Sequence, residues 1–226
     1  MISKEKESLL KLLIDEQVLQ FGDFVLKSGR RSPYFFNLGA INTGTAIQRL
    51  GEAYAGRIRQ LDVDFDLLFG PAYKGIPIAV ATAEALARDG HNVGWAFNRK
   101  EAKDHGEGGR FVGADIRGRV LLVDDVLTAG TALREAAGLV KAAGGELVGV
   151  LIALDRQELT ASGETAVMAL AAELGLPVAS ILSLQDVIEY LDLKSTRDNH
   201  SADRVAQVKD YQAQFCLRER SDTPSD

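Results

Sequence analysis

The sequence predicts an α/β fold: a central, mostly parallel sheet flanked by helices, preceded by a small N-terminal hood of one helix and one hairpin. Three observations predict it. Short apolar segments, at 65–69, 120–123 and 147–154, alternate with stretches of helical spacing. Those segments are apolar throughout, as strands covered on both faces are. The residues fit for chemistry follow the strands, where parallel sheets bind their ligands: Gly70-Pro71, Asp124-Asp125 and Asp155-Arg156.

Residues 3–18 carry Leu9, Leu10, Leu13 and Ile14 at helical spacing. Two extended segments follow, 21–26 and 34–38, joined by a turn over 27–33 that contains Gly29 and Pro33. This hairpin and the first helix form the hood, residues 1–42. Thr43 and Thr45 are candidate N-caps for a helix with Ile47, Leu50, Tyr54 and Ile58 on one face. A strand at 65–69 then leads to a helix at 76–88, with Pro77 in its first turn. A strand at 93–97 precedes a polar stretch, 98–113, that has no apolar period and is expected to be a mobile loop. Strand 120–123 leads to helix 131–143, closed by Gly144-Gly145. Strand 147–154, helix 164–174, strand 178–184 and helices at 186–191 and 202–215 complete the pattern. The polar tail 218–226 is expected to be frayed. With no repeat and no low-complexity segment, residues 1–226 are expected to form one domain.

Composition narrows the function. Of 226 residues, 46% are hydrophobic and 26% charged, an ordinary globular balance. The formal net charge of −6 argues against non-specific binding to nucleic acid or membranes. The lone cysteine, Cys216, excludes an internal disulfide and fits a reducing compartment. The N-terminus is charged, without the apolar stretch of a signal peptide, and the longest apolar runs, 76–83 and 147–154, are too short to span a bilayer. A cytoplasmic protein is expected.

The strongest local signal is Val120-Leu121-Leu122-Val123-Asp124-Asp125-Val126-Leu127-Thr128-Ala129-Gly130-Thr131-Ala132. A buried strand ends in two carboxylates, a loop of small and hydroxyl residues follows, and a helix begins. Backbone N–H groups of the loop and first helical turn lack helical partners and converge on one spot, where a phosphate accepts them. The helix dipole adds about 0.3–2 kcal/mol, and Thr128 and Thr131 add hydroxyls. The paired acids would repel that phosphate, so they suit a ribose, whose hydroxyls donate and whose ring becomes cationic when a C1 substituent departs. The plainer alternative is that Asp124 and Asp125 only cap the next helix, although one Asp nearer the helix would do that. No Walker A or Rossmann glycine pattern occurs in the chain.

The sequence strand, Asp-Asp, Thr-x-Gly-Thr, helix resembles the phosphoribosyl pyrophosphate (PRPP) motif of type I phosphoribosyltransferases. The stretch Arg99-Lys100-Glu101-Ala102-Lys103-Asp104-His105 resembles, position by position, the catalytic loop of the orotate phosphoribosyltransferase family. In that family the loop closes over PRPP and reaches across a homodimer. The resemblance implies that Arg99, Lys100, Lys103 and His105 contact the pyrophosphate, with Lys103 the main catalytic lysine and Asp124 and Asp125 catalytic beside it. Whether His105 acts as an acid or only as a donor stays open. Physically, a closing cationic loop neutralises the charge that builds on a departing pyrophosphate and excludes water.

Further matches fill the site. Tyr73 and Lys74, in Gly70-Pro71-Ala72-Tyr73-Lys74-Gly75, resemble the family's second pyrophosphate-contacting segment, and Lys27 matches its Lys-Ser-Gly motif. By the same resemblance the backbone and side chains from Asp124 to Ala132, including Val126, Leu127, Ala129 and Gly130, surround PRPP. Phe35 and Phe36 are candidates for the base, although alternation along a strand sends only one ring inward. Thr128 is assigned to the base as well. Orotate, unlike purines or uracil, carries a carboxylate, which a fixed guanidinium recognises. Arg156, in Leu154-Asp155-Arg156-Gln157-Glu158, resembles the family's base-binding arginine; position alone leaves it equally a surface residue.

The resemblance runs over about 18–215. It implies a Mg²⁺-dependent enzyme that joins orotate to PRPP, giving orotidine 5′-monophosphate and pyrophosphate in UMP synthesis. The metal is expected to sit mainly on substrate oxygens and water, with no dedicated protein cage. A purine phosphoribosyltransferase would need neither Arg156 at the base nor this loop. A PRPP-sensing nucleic-acid regulator would need a basic face or an added domain.

Overall fold

A computed structural model describes residues 2–26, 28–103, 109–127, 130–195 and 199–217; for Ala102, Lys103 and 199–201 it describes the backbone alone. The hood begins with helix α1, Lys4–Asp15, whose N-cap Ser3 accepts from the Lys6 N–H. Leu9, Leu10, Leu12 and Leu13 form its buried stripe. Strands β1, Leu19–Val25, and β2, Arg31–Phe36, then pair antiparallel as a two-stranded sheet of their own. Pro33 lies within β2, not in the turn. Helix α2, Gly44–Ile58, is capped by Thr43, which accepts from the Ala46 N–H; Thr45 already lies inside the helix.

The central sheet has six strands in the order β5-β4-β3-β6-β7-β8 among the described residues. These are β3, Leu67–Phe69; β4, Gly94–Lys103; β5, Gly109–Gly113; β6, Gly118–Val126; β7, Gly145–Asp155; and β8, Val178–Ser183. All neighbours run parallel except β4 and β5. The helices between them are α3, Gly75–Arg88; α4, Thr131–Ala142; and α5, Ala166–Leu174, with α6, Leu184–Ser195, and α7, Asn199–Phe215, at the end.

Alternation along the strands divides the core. Leu121, Val123, Leu151 and Ala153 pack with Leu50 and Tyr54 of α2 and Ala79 and Leu86 of α3. Leu122, Val150 and Ile152 pack on the other face with Leu133 and Val140 of α4 and Leu170 of α5. Helices on both faces leave the strand ends as the open edge of the sheet, and the candidate residues collect there.

Two expectations need correction. The stretch 98–113 is not irregular as far as it is described. Strand β4 runs on to Lys103 and pairs antiparallel with β5, Phe97 opposite Val112 and Asn98 opposite Phe111. It lacks an apolar period because these edge-strand arms project largely into solvent, and polar side chains suit an exposed edge. Strand β6 also extends to Val126, so Asp124 and Asp125 lie within the strand rather than beyond it. Both are buried, at 8% exposure.

Candidate active site

Four buried aliphatic residues of β6, Val120 to Val123, drive the strand through the core and fix where Asp124 and Asp125 emerge. The Tyr54 hydroxyl of α2 donates to the Asp124 carbonyl at 2.7 Å, pinning the strand end from one face. The Asp124 carboxylate accepts from the Asp125 N–H at 2.9 Å. Burial, and then repulsion from Asp125, push the Asp124 carboxyl from 3.8 up to about 7. Further on, Leu127 turns its side chain into the core. Gly130 takes φ +77°, a left-handed conformation, directly before α4; a Cβ there would also press on the Arg134 guanidinium at 2.7 Å. Thr131 and Ala132 open α4 with exposed side chains, and the first-turn N–H groups of a helix have no intrahelical acceptor. The strand end thus presents carboxylates beside a helix N-terminus, as the sequence predicts.

The turn after β3 closes the next side. Gly70 and Gly75 touch backbone to backbone, so closely that a Cβ on Gly70 would lie 2.0 Å from the Gly75 carbonyl oxygen. The Ala72–Tyr73 peptide is cis. The Ala72 N–H donates to Asn98 Oδ1 of β4 at 3.1 Å, and Lys100 Nζ stands 4.8 Å from the centre of the Tyr73 ring. Arg99 donates to the Gly109 carbonyl across the β4–β5 hairpin at 3.0 Å. Lys74 reaches across the strand ends and donates to Asp125 at 2.7 Å.

At the end of β7, Arg156 is buried, at 9% exposure, not a free surface residue. Its Nε donates to Glu158 at 2.6 Å and its Nη2 to the Ser32 hydroxyl at 3.2 Å. Its guanidinium lies 4.2 Å from the centre of the Tyr34 ring. Burial works against its charge, but Tyr34 and Glu158 outweigh it and leave its pKa raised. The hood hairpin therefore packs over this strand end. Within β2, Phe36 joins the core while Phe35 is half exposed and stacks on Phe24 at 5.5 Å, so one ring of the pair faces inward and the other outward.

The structure thus brings Tyr73, Lys74, Asp124, Asp125, Gly130, Thr131 and Arg156 to one edge of the sheet. Lys27, His105, Thr128 and Ala129 lie outside the described residues, as does the Lys103 side chain. Tyr54, Asn98, Ser32, Glu158 and Tyr211 also serve this edge, and, Glu158 apart, no sequence signal singled them out for it. Tyr54 reads as core on a helical face, and Ser32 as a turn residue. Glu158 alone had a cue, its place two residues after the candidate arginine.

No group of three or more metal-ligating side chains occurs among the described residues, and no described helix is long and apolar enough to cross a membrane. A parallel α/β sheet whose strand ends hold paired acids, a helix N-terminus and the Lys74 turn is built for a phosphorylated sugar. The comparisons with known proteins agree. Residues 37–171 match the phosphoribosyl transferase domain family. The chain is 51% identical over 205 residues to the orotate phosphoribosyltransferase of Marinobacter nauticus, covering 91% of this chain and 96% of that one. It is 52% identical over 211 residues to that of Thioalkalivibrio sulfidiphilus, covering 93% and 97%. Among solved structures, the Francisella tularensis orotate phosphoribosyltransferase superimposes with a TM-score of 0.80 at 38% identity, covering 93% of this chain and all of that one. The Mycobacterium tuberculosis enzyme in complex with PRPP superimposes with a TM-score of 0.61 at 27% identity, covering 80% and 98%. The chain belongs to the phosphoribosyltransferase family, in its orotate phosphoribosyltransferase branch.

Proposed function

We propose that the chain transfers the 5-phosphoribosyl group of PRPP to orotate, giving orotidine 5′-monophosphate and pyrophosphate, a step of UMP synthesis carried out in the cytoplasm. The observation that carries this reading is the buried guanidinium of Arg156 at the end of β7, one strand away from Asp124 and Asp125 at the end of β6. A carboxylated base and a ribose then lie side by side on neighbouring strand ends.

In the reaction the C1–O bond to pyrophosphate breaks with its electron pair on the leaving oxygen, and a ring nitrogen of orotate bonds to C1. The chain's residues need to position, neutralise and exclude water; no covalent nucleophile is required. Asp124 and Asp125 face the ribose and stabilise its cationic character. The start of α4, with Thr128, Gly130, Thr131 and Ala132, takes the 5′-phosphate. Lys27, Tyr73, Lys74, Arg99, Lys100, Lys103 and His105 serve the pyrophosphate, with Lys103 foremost. Residues 98–113 act as the loop that closes over PRPP and completes the site of a second copy in a homodimer. Arg156 takes the orotate carboxylate, with Thr128 and the Phe35-Phe36 segment of β2, through a ring or its backbone edge, beside the base.

Mg²⁺ supplies neutralisation of the pyrophosphate when bound. The residues present fit a metal that arrives on substrate oxygens: Asp125 is engaged by Lys74 and Asp124 accepts from the Asp125 N–H, so the two acids form no ligand cage of their own. The test is direct. Orotate absorbance should fall on adding PRPP and Mg²⁺, with adenine, guanine, hypoxanthine and uracil as controls. Turnover of a purine in place of orotate would overturn the reading.

A further inference from the structure

Resting on the assignment of Arg156 to the base carboxylate, we propose that Glu158 is the positioning residue for Arg156 and that helix α7 holds it there. The C-terminal helix then belongs to the device that selects a carboxylated base.

The geometry is specific. Glu158 Oε1 accepts from Arg156 Nε at 2.6 Å and from the Tyr211 hydroxyl at 2.7 Å, while Oε2 accepts from Arg30 Nη1 at 3.3 Å. Gln157, between the two partners, takes φ +54°, a left-handed conformation uncommon outside glycine. The chain bends there and is held by α7: Leu159 N–H donates to the Phe215 carbonyl and Leu217 N–H to the Gln157 carbonyl, both at 2.8 Å. Tyr211 meets Tyr34 edge-on at 5.9 Å, and Arg30 stands 4.7 Å from the Phe215 ring.

The guanidinium is therefore fixed along its Nε edge by Glu158, on one face by Tyr34 and at Nη2 by Ser32. A planar guanidinium recognises a carboxylate through two parallel N–H groups, so its orientation decides whether the fork is presented. Charge points the same way. Arg30 and Arg156 share one anion, Glu158. Glu158 thus offsets only one of the two guanidinium charges it touches, and the outward N–H groups of Arg156 stay available to an incoming carboxylate.

The test compares Glu158→Ala, Glu158→Gln, Tyr211→Phe and Arg156→Ala, measuring KM for orotate, KM for PRPP, and the preference for orotate over uracil in kcat/KM. Glu158→Ala should raise the orotate KM about tenfold or more, since a charged hydrogen bond is lost, and lower the preference over uracil. The PRPP KM should stay within about twofold of wild type. Glu158→Gln keeps an acceptor for Nε and should recover most of the loss. Tyr211→Phe removes one hydroxyl without disturbing the ring packing and should raise the orotate KM about threefold; it decides the matter alone if Glu158→Ala does not fold. An orotate KM within twofold in both variants overturns the positioning role, and so does a PRPP KM that rises in step with that for orotate. If Arg156→Ala itself leaves the orotate KM unchanged, the base assignment fails instead, and the two failures are told apart.

Discussion

The Lys74 ammonium donates to the Asp125 carboxylate at 2.7 Å, joining the turn after β3 to the end of β6. Of the pair, the lysine is about half exposed and the acid nearly covered, at 45% and 11% side-chain exposure. A lysine proposed for pyrophosphate thus rests on an acid proposed for ribose. On that proposal, substrate anions should draw the lysine away and free the carboxylate for the sugar, which would couple the two roles.

Replacing both acids tests that arrangement. Asp124→Asn with Asp125→Asn keeps the shapes but removes the charges that stabilise a cationic ribose. Turnover should fall by at least about a thousandfold, the scale of losing more than one electrostatic contact to a transition state. Circular dichroism should still show a cooperative thermal transition. A folded double variant with wild-type activity sinks the assignment.

Asp124 is expected to make stability and activity depend on pH. Burial first, and then Asp125, raise its carboxyl from 3.8 to about 7. The native state therefore keeps a proton that the unfolded chain releases near 3.8. This contribution to stability is full below 3.8, declines as pH rises, and is gone above about 7. A shift of that size corresponds to on the order of 4 kcal/mol. Asp124→Asn should accordingly melt higher than wild type at pH 8 and show little difference near pH 4. Activity should move oppositely, with kcat/KM falling as pH drops below about 7 because the acid protonates. Equal melting differences at both pH values count against the buried charge.

Arg156→Ala should impair orotate use far more than PRPP use. Removing the partner of a desolvated carboxylate costs about 2–5 kcal/mol, so kcat/KM for orotate should drop at least about thirtyfold. Steady-state kinetics with each substrate varied in turn reads this. A raised PRPP KM with orotate untouched would place the arginine elsewhere.

The sharing of the loop across a homodimer is tested by mixing two inactive variants. One carries Lys103→Ala and the other Asp124→Asn with Asp125→Asn. Unfolded together and refolded, half the dimers should be mixed, and each mixed dimer has one site with intact acids and an intact donated loop. Activity should return to about a quarter of wild type for an isologous pair. If each loop serves its own subunit, the mixture stays inactive, and a fully active monomer at high dilution refutes the scheme as well.

Legibility followed the physics of each signal. The paired acids, the glycine before α4 and the turn at Gly70 were readable because local sequence dictates them: a β-rich apolar run, a residue tolerant of positive φ, a helix start. The antiparallel pairing of β4 with β5 was not, because an edge strand exposed to solvent needs no apolar alternation and leaves no periodic trace. The burial of Asp124 and Asp125 was not readable either. It depends on α2, whose Tyr54 reaches the strand end from 70 residues away.

By itself the sequence determined the order of strands and helices except β5, the strand ends where chemistry collects, and the identity of the residues there. Periodicity, turn chemistry and motif spacing are local properties of the chain. Only the tertiary structure decided which distant segments meet: Lys74 with Asp125, Asn98 with the Ala72 turn, and Arg156 with Ser32, Tyr34 and Glu158 under α7. Those meetings follow from helices burying their apolar stripes against the sheet and the hood, and no pattern confined to one segment encodes where a partner from another will lie.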